Sequence, residues 1–515
     1  MTSNSITALT GINRVDALLE MRHWGKQLGQ PFILSYSIPA GTAYWESGYS
    51  SDNEPDTWIS LTTTQAMYFR QALAMWQEVT NLGFFEVPDS KGYGEIRIAF
   101  SDALAGSSSV GWAYAPGDTA TAGDIWLNTE NANDDFQVGT TGFSTLLHEI
   151  GHAIGLDHPF ESSDTNRAIL SYLEDSEQYT LMSYTGYKGA GNISDGLGYY
   201  VNVQPTTPML YDILAIQYLY GKNKAVRAGN DVYHFSSTVG ELKTIWDAGG
   251  IDTFDLSNQS YPMKINLNEG QFSSLGVRQD YGKIAGAAQD NIAIAYGVLI
   301  ENAVGGKGND TLIGNAANNW LTGGGGNDTL SAGIGIDTAS FQGTKAQYQI
   351  TQSAGKYQVS DTVLNREGVD SLDAVERLQF ADMTVALDIE GNAGQAYRLY
   401  QAAFNRQPDS VGLGYWIQQI DSGMSLTKVA ATFISSEESQ ALYGTSPSAG
   451  DLINAFYNNV LHRTPDPSGY DFWVAKITHL EQTSAEILQG FSESPENQLQ
   501  VIGVIQTGID YSPFL

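Results

Sequence analysis

HEIGHAIGLDHP, residues 148–159, holds three of the chain's seven histidines and sets a glutamate beside the first. His148 and His152 stand four apart, so on a helix both imidazoles project from one face and can grip one metal ion. Glu149 lies one step around the same turn, where it can reach a water on the metal without being a ligand. Gly155 permits a sharp exit from the helix, after which His158 can swing back as a third nitrogen. Three neutral nitrogens leave zinc an open position for water, which marks a catalytic rather than a structural site. Zinc lowers the pKa of that water, Glu149 takes its proton, and the nucleophile attacks a carbonyl that the metal also polarises. A bare HExxH arises by chance in many helices, and its bland reading is a surface helix with ordinary capping. The extended HExxHxxGxxH pattern is far more specific and favours the zinc site.

Outward from this stretch, residues 1 to about 222 alternate helix and strand signals. In TTTQAMYFRQALAMWQEV (62–79), Phe69, Leu73 and Trp76 recur at helical spacing behind a run of capping threonines. GEIRIAF (94–100) alternates Ile96, Ile98 and Phe100 and predicts a half-buried strand, and GDIWLN (123–128) predicts another. TPMLYDILAIQYLYG (207–221) reads as an amphipathic helix stopped by Gly221.

Beyond Gly221 come short strand-like pieces split by Gly, Asn and Asp, with four nine-residue repeats in tandem: GGKGNDTLI, GNAANNWLT, GGGGNDTLS and AGIGIDTAS, residues 305–340. Their glycines allow a tight turn with inward carbonyls, the aspartate supplies a carboxylate, and the apolar residue points to a core. Stacked on one edge of a parallel β-roll, such turns share calcium through about six oxygens. Turns alternate sides, so the first repeat is expected to stack on the third and the second on the fourth. Asp310 and Asp328, with carbonyls of Gly305, Gly308, Gly323 and Gly326, then form one good calcium site. The opposite side pairs Asn319 with Asp337, lacks several of the glycines, and is expected to bind weakly or not at all. A calcium-free glycine-rich turn region is the bland alternative.

From about residue 391 helical spacing returns, and AYRLYQAAFNRQPDSVGLGYW (396–416) is echoed by LINAFYNNVLHRTPDPSGYDFW (452–473). An FxxSxE follows in both copies, Phe433 to Glu438 and Phe491 to Glu496, so this is a tandem helical module. Its shared Arg, Pro, Asp, Gly and Trp are most simply structural, with sugar binding open if Trp416 and Trp473 are exposed. His23, His234, His462 and His479 lack ligand-spaced neighbours and are expected at the surface or satisfied.

The chain of 515 residues has net charge −32, from 57 acidic and 25 basic residues, which argues against nucleic acid or an anionic membrane as main partner. It suits hard cations such as calcium. With no cysteine there is no disulfide and no thiolate zinc site. No stretch reads as an N-terminal secretory signal or a membrane span, which by itself would suggest the cytoplasm.

The histidine stretch resembles the zinc signature of the metzincin metallopeptidases, and HEIGHAIGLDHP in particular resembles the serralysin branch. YTLMSY (179–184) resembles the metzincin Met-turn, which implies Met182 as an apolar floor beneath the metal. Tyr184 matches the tyrosine that serralysins use as an additional zinc ligand and that swings away to hydrogen-bond the developing oxyanion. VDALLEMRHW (15–24), GDIWLN and PMLYDILAIQYLYG resemble serralysin stretches too, so the likeness spans nearly all of residues 10–390. It implies an extended polypeptide substrate lying antiparallel to an edge strand, expected near VGWAYAPG (110–117). WDAGGIDTFDLS (246–257) resembles the segment that opens the serralysin roll, which implies a further calcium site. Carried over, Asp247 and Asp252 are its side-chain ligands, Gly249 and Gly250 lie beside the ion, and carbonyls of Arg227 and Gly229 with a group from Asp231 complete it.

The repeats resemble the RTX type of bacterial proteins exported unfolded by type I secretion and folded outside by calcium. That overrides the cytoplasmic reading: the chain is expected to be secreted, with its export signal near the C-terminal GIDYSPFL, from which Ser512 and Pro513 depart. A short N-terminal propeptide is implied as well. The expected architecture is multidomain: an α/β (α+β) zinc-peptidase domain over 1–222, a parallel β-roll or β-sandwich over 223–390, and an all-α domain over 391–515. The expected function is a secreted, calcium-stabilised zinc endopeptidase with one zinc and several calcium ions. The rival reading is a cell-surface or matrix-binding protein with the peptidase fold as an inactive platform. Expected partners are polypeptide substrates, the type I secretion machinery and a proteinaceous inhibitor, for a monomeric chain without a membrane span.

Overall fold

The computed structural model describes residues 4–90, 92–194 and 200–514. It shows an α/β N-terminal region, a β-rich middle and an all-helical C-terminal region, arranged in two compact units that meet in sequence between Ile313 and Gly314.

The first unit opens on a five-stranded sheet: β1 (Phe32–Ser37), β2 (Leu82–Glu86), β3 (Ile96–Ser101), β4 (Gly111–Ala113) and β5 (Ile125–Asn128). Their order is β2-β1-β3-β5-β4, parallel except for β4, which runs antiparallel to β5 at the edge. Helix α1 (Thr63–Val79) starts where the threonines predict, with a capping box between Thr62 and Gln65. Phe69, Leu73 and Trp76 form its buried face, and each side chain of that size contributes about 1.5–3 kcal/mol when fully buried. The Trp76 indole donates to the Leu147 carbonyl at 3.2 Å and so ties α1 to α2 (Thr141–Ala153).

Two expectations need correction. Strand β3 is buried at all six positions rather than on one face, because a second layer covers its polar side. There the Arg97 guanidinium lies 3.5 Å from the centre of the Trp45 ring and forks onto both Asp89 carboxylate oxygens. Helix α3 (Leu210–Tyr220) is likewise not amphipathic: Asp212 and Gln217 are buried along with its apolar residues. It ends at Gly221, whose φ is +80°.

In the rest of the first unit, three-residue strands stack in parallel. Val232–His234, Thr253–Asp255 and Asn302–Val304 form one stack, and Lys264–Asn266 pairs with Thr311–Ile313. The central residue points inward in each of the last four, as Phe254, Ala303, Ile265 and Leu312 show. The second unit repeats the scheme: Trp320–Thr322, Thr338–Ser340 and Arg377–Gln379 stack in parallel, which is the expected pairing of second repeat on fourth. Thr329–Ser331 pairs with Val369–Asp373.

Eight helices follow in two sets of four: α4 (Asn392–Phe404), α5 (Ser410–Asp421), α6 (Leu426–Ile434) and α7 (Glu437–Tyr443), then α8 (Ala449–Val460), α9 (Pro467–Thr478), α10 (Ser484–Ser492) and α11 (Pro495–Ile505). The echoed residues prove to be joints. Asp409 and Asp466 cap α5 and α9 through Gly412 and Gly469, and Ser436 and Ser494 cap α7 and α11. Arg406 forks onto Glu438, and Arg463 onto Glu496, at 2.7 and 3.1 Å in both copies. Trp416 and Trp473 are half-buried, packed on Phe433 and Phe491. After α11 the strand Ile509–Tyr511 pairs antiparallel with Thr384–Ala386, itself antiparallel to Arg377–Gln379.

Candidate metal centre and acidic turns

Helix α2 carries the first two histidines. Thr140 caps its start, and Phe143, Leu146, Leu147 and Ile150 bury its inner side. At the far end Gly155 has φ +110°, and a side chain there would press on the Arg22 carbonyl and Leu219, each 3.2 Å from a Cβ. The chain turns and returns His158 to the other two. The three Nε2 atoms lie 3.2 Å (His148–His152), 3.1 Å (His152–His158) and 3.3 Å (His148–His158) apart.

Hydrogen bonds at the opposite nitrogens decide what these atoms can do. Nδ1 of His148 lies 2.8 Å from the Leu181 carbonyl, that of His152 2.8 Å from the Leu156 carbonyl, and that of His158 2.9 Å from the Glu161 carboxylate. Each of those oxygens only accepts, so each Nδ1 donates and each neutral ring turns a lone pair inward from Nε2. Burial holds His148 down at about 4 and lowers His152 as well, which keeps both neutral. At these separations one ion at the usual ~2.0–2.1 Å from nitrogen would be held by all three. The donor set and spacing fit zinc.

Met182 is fully buried against α2, its sulfur 2.8 Å from where a Cβ on Gly151 would lie. Gly151, inside the HExxH stretch, is therefore what lets the Met-turn close on the helix, a role the sequence reading missed. Asp212, also missed, clamps the same turn: it accepts from the Thr180 hydroxyl at 2.6 Å and from the Leu181 and Met209 amides at 2.8 Å. Leu181 is the residue whose carbonyl orients His148. A lone acid on a helix otherwise almost wholly apolar was the available signal.

Tyr184 donates its hydroxyl to Nε2 of His158 at 2.8 Å and is 70% exposed, so it can leave without disturbing the core. Glu149 is buried, and its Oε2 has no hydrogen-bond partner among the described residues. Burial pushes its carboxyl up to about 8. Its Oε1 lies 3.1 Å from where a Cβ on Gly111 would stand, which places edge strand β4 directly over the acid. A cavity of about 370 Å³ opens between β4, α2 and the Met-turn.

The carboxylates of Asp231, Asp247 and Asp252 also converge, each offering an oxygen within 4.8 Å of the others. The Asp247 carboxylate accepts from the Gly249 amide and Asp252 from the Asp231 amide, both at 2.7 Å, while Asp252 Oδ2 has no partner among the described residues. A Cβ on Gly250 would lie 1.9 Å from the Gly229 carbonyl, and Arg227 takes a left-handed φ of +48°. In the repeats, Asp310 accepts from the amides of Met263 (2.7 Å) and Gly306 (2.6 Å). Gly308 sits 2.6 Å, measured from a would-be Cβ, from the Pro262 nitrogen, and Gly323 2.4 Å from Asp328 Oδ2. Asp337 accepts from the Asn319 amide at 2.7 Å, with its other oxygen buried and unpartnered among the described residues.

A rule emerges that the repeat motif hides. The acid of one turn accepts the amide of the equivalent residue in the turn before: Asp252 from Asp231, Glu301 from Asp252, Asp370 from Asp328, Glu376 from Asp337. Glu301, Asp370 and Glu376 lie outside the glycine repeats and were not foreseen. Glu301 and Glu376 stand immediately before a three-residue strand, as Asp252, Asp310 and Asp337 do. His23 departs from expectation too: it is 1% exposed, with Nε2 unpartnered among the described residues, and burial lowers its pKa.

Two imidazoles on α2 and a third returned by the turn after it, beside a Met-turn packed on the helix, fit a metzincin-class zinc site. Comparison with known proteins agrees. Residues 47–183 match the Matrixin family model and residues 219–408 the model described as Peptidase M10 serralysin C terminal. Residues 392–442 and 430–501 match a domain of unknown function (DUF4214). Serralysin of Photorhabdus laumondii is 36% identical over 318 residues, 56% of this chain and 61% of that protein. Serralysin of Photorhabdus luminescens is 39% identical over 318 residues (56% and 60%), and serralysin C of Dickeya chrysanthemi 34% over 293 residues (52% and 57%). Over residues 47–183 and 219–408 the chain is similar to the serralysin metallopeptidases. It spans about three-fifths of the length of these curated relatives.

Proposed function

We propose that the chain is a zinc endopeptidase acting on extended polypeptides, with His148, His152 and His158 as the metal ligands. Zinc held by their Nε2 atoms would supply a Lewis acid for the scissile carbonyl and would acidify water. Glu149 takes the proton of the attacking water at Oε2 and hands it to the departing amine. Burial raises the Glu149 carboxyl, and a dication held by the neighbouring histidines would favour its ionised form. Tyr184 moves its hydroxyl from His158 to the oxyanion, where a donor is worth most in the transition state. Val110 and Tyr114 turn their main-chain groups toward β5, at Asn128 and Asp124. By alternation Gly111 and Ala113 present theirs outward, ready to hold a substrate strand antiparallel to β4.

The observation that carries this reading is the buried Oε2 of Glu149, unpartnered among the described residues, beside three converged lone pairs. Casein zymography of wild type and Glu149→Ala, with zinc content measured in parallel, tests it. Activity surviving the substitution removes the mechanism, and equal inactivity of both with normal zinc favours the platform reading.

We further propose calcium at the converged Asp231, Asp247 and Asp252, with the carbonyls of Arg227 and Gly229 and close approach at Gly249 and Gly250. Calcium at the repeat turns through Asp310, Asp328 and Asp337, with carbonyls of Gly305, Gly308, Gly323 and Gly326, belongs to the same reading. Buried oxygens on Asp252 and Asp337, unpartnered among the described residues, support it. The domain limits near residues 222 and 390, export by type I secretion, an extracellular site of action and a proteinaceous inhibitor remain parts of the proposal. No helix among the described residues is long and apolar enough to cross a membrane.

A further inference from the structure

The cavity beside His148 has a direction. At the sheet edge it is lined by Ser108 to Gly111, the start of β4, and Trp112 and Ala113 take no part in it. A substrate antiparallel to β4 brings the residues that follow its scissile bond toward that start. The cavity therefore faces the leaving-group side of the bond. This step rests on the peptidase reading above.

Its chemistry is one-sided. Apart from His148, Glu149 and Tyr184 of the metal centre, the ionisable group in its lining is Glu177, and around it stand neutral hydroxyls and an amide, among them Thr141, Thr145 and Gln204. Glu177 Oε2 is buried with no hydrogen-bond partner, and Glu177 joins no ion pair among the described residues. Its amide donates to the Thr185 carbonyl at 2.9 Å, which fixes its backbone beside Tyr184. Burial pushes the carboxyl up to about 7, although a hydrogen bond from the Tyr187 amide acts the other way, and no cation among the described residues pairs with it. A buried acceptor without a donor is costly, and a charged donor answers it best. The volume of about 370 Å³ suits a long side chain.

We propose that this cavity is a subsite selecting a lysine or arginine as the residue immediately after the scissile bond, with Glu177 as its counter-charge. An apolar side chain leaves Oε2 of Glu177 desolvated and unanswered, and an acidic one meets Glu177 and Glu149 with like charge.

The test uses the full-length, zinc-loaded protein and quenched fluorescent peptides that differ only at that residue: Lys, Arg, Leu, Gln or Glu, with cut sites confirmed by mass spectrometry. Wild type is expected to show kcat/KM about tenfold or more higher for Lys and Arg than for Leu, with Glu slowest. Glu177→Gln should bring the Lys-to-Leu ratio near one, and Glu177→Lys should reverse the order of Lys and Glu. Equal rates for Lys and Leu in wild type overturn the assignment without need of any variant. So does a preference that persists in Glu177→Gln. No cleavage of any peptide strikes the peptidase reading itself, and the subsite with it.

Discussion

The metal centre on α2 and the acidic turns of the stacked strands hold their candidate ligands in opposite ways. At the centre, three neutral rings are each fixed by a hydrogen bond from Nδ1, two of them to main-chain carbonyls, so lone pairs converge without charge repulsion. In the turns, carboxylates gather: Asp231, Asp247 and Asp252 lie within 4.8 Å of one another, and burial and mutual repulsion push Asp252 up to about 6. A neutral trio can wait for its ion with the fold intact. A carboxylate trio strains the fold until a cation arrives. Losing zinc should therefore silence the protein without unfolding it, whereas losing calcium should loosen it.

The largest effect expected lies at the centre. Glu149→Gln should lower kcat/KM by about 10²–10⁴-fold while zinc stoichiometry and melting temperature stay at wild-type values. A melting temperature that falls with activity would break the contrast.

Calcium comes next. Chelation should lower the melting temperature of the strand-rich region before zinc is lost, with each site contributing ~2.7 kcal/mol at a hundredfold excess over its Kd. Asp252→Asn sharpens the point through a change of sign. It should melt below wild type in calcium and above it in chelator, because it relieves the crowding that calcium otherwise relieves. A variant less stable in both conditions would show that Asp252 acts as a plain hydrogen-bond acceptor.

A smaller effect tests whether the neutral trio depends on its supports. Asp212→Ala frees the Met-turn that orients His148 and should weaken zinc binding about 10–100-fold in chelator competition. Asp212→Asn should recover most of that, since its oxygen can accept from the Leu181 and Met209 amides while its amide donates to Thr180. Equal loss in both variants would point to a requirement for charge.

The smallest effect belongs to a charged contact built without crowding. Arg463→Ala should cost at most about 1 kcal/mol in urea unfolding, because both Arg463 and Glu496 are about two-fifths exposed. A larger loss would mean that the loop between α8 and α9 is held by this ion pair and not by the Trp473–Phe491 packing.

The metal centre was legible in sequence because its ligands sit within one helix and the turn after it, where spacing alone sets geometry. The stacked strands were legible for the related reason that each repeat is one turn. What escaped depends on distance along the chain. Asp212 reaches the Met-turn from α3, and Glu376 meets Asp337 through register between strands; no local pattern encodes either contact. Strand β3 misled for the same reason, since its alternation shows a polar side but not the Trp45 layer that covers Arg97. The echoed helical motif could be recognised as a duplication, but the partnering of Arg406 with Glu438 needed coordinates.

Ile509–Tyr511 returns to Thr384–Ala386 after the whole helical module has intervened. Both ends of that module are thus stitched into one sheet, which makes it an insertion in a loop and not a pendant on a tether. Such a loop cannot swing freely, and cutting the chain once inside it leaves two fragments still held together by β-pairing. Closing it also joins residues far apart in sequence, so this seam is expected to form late during folding.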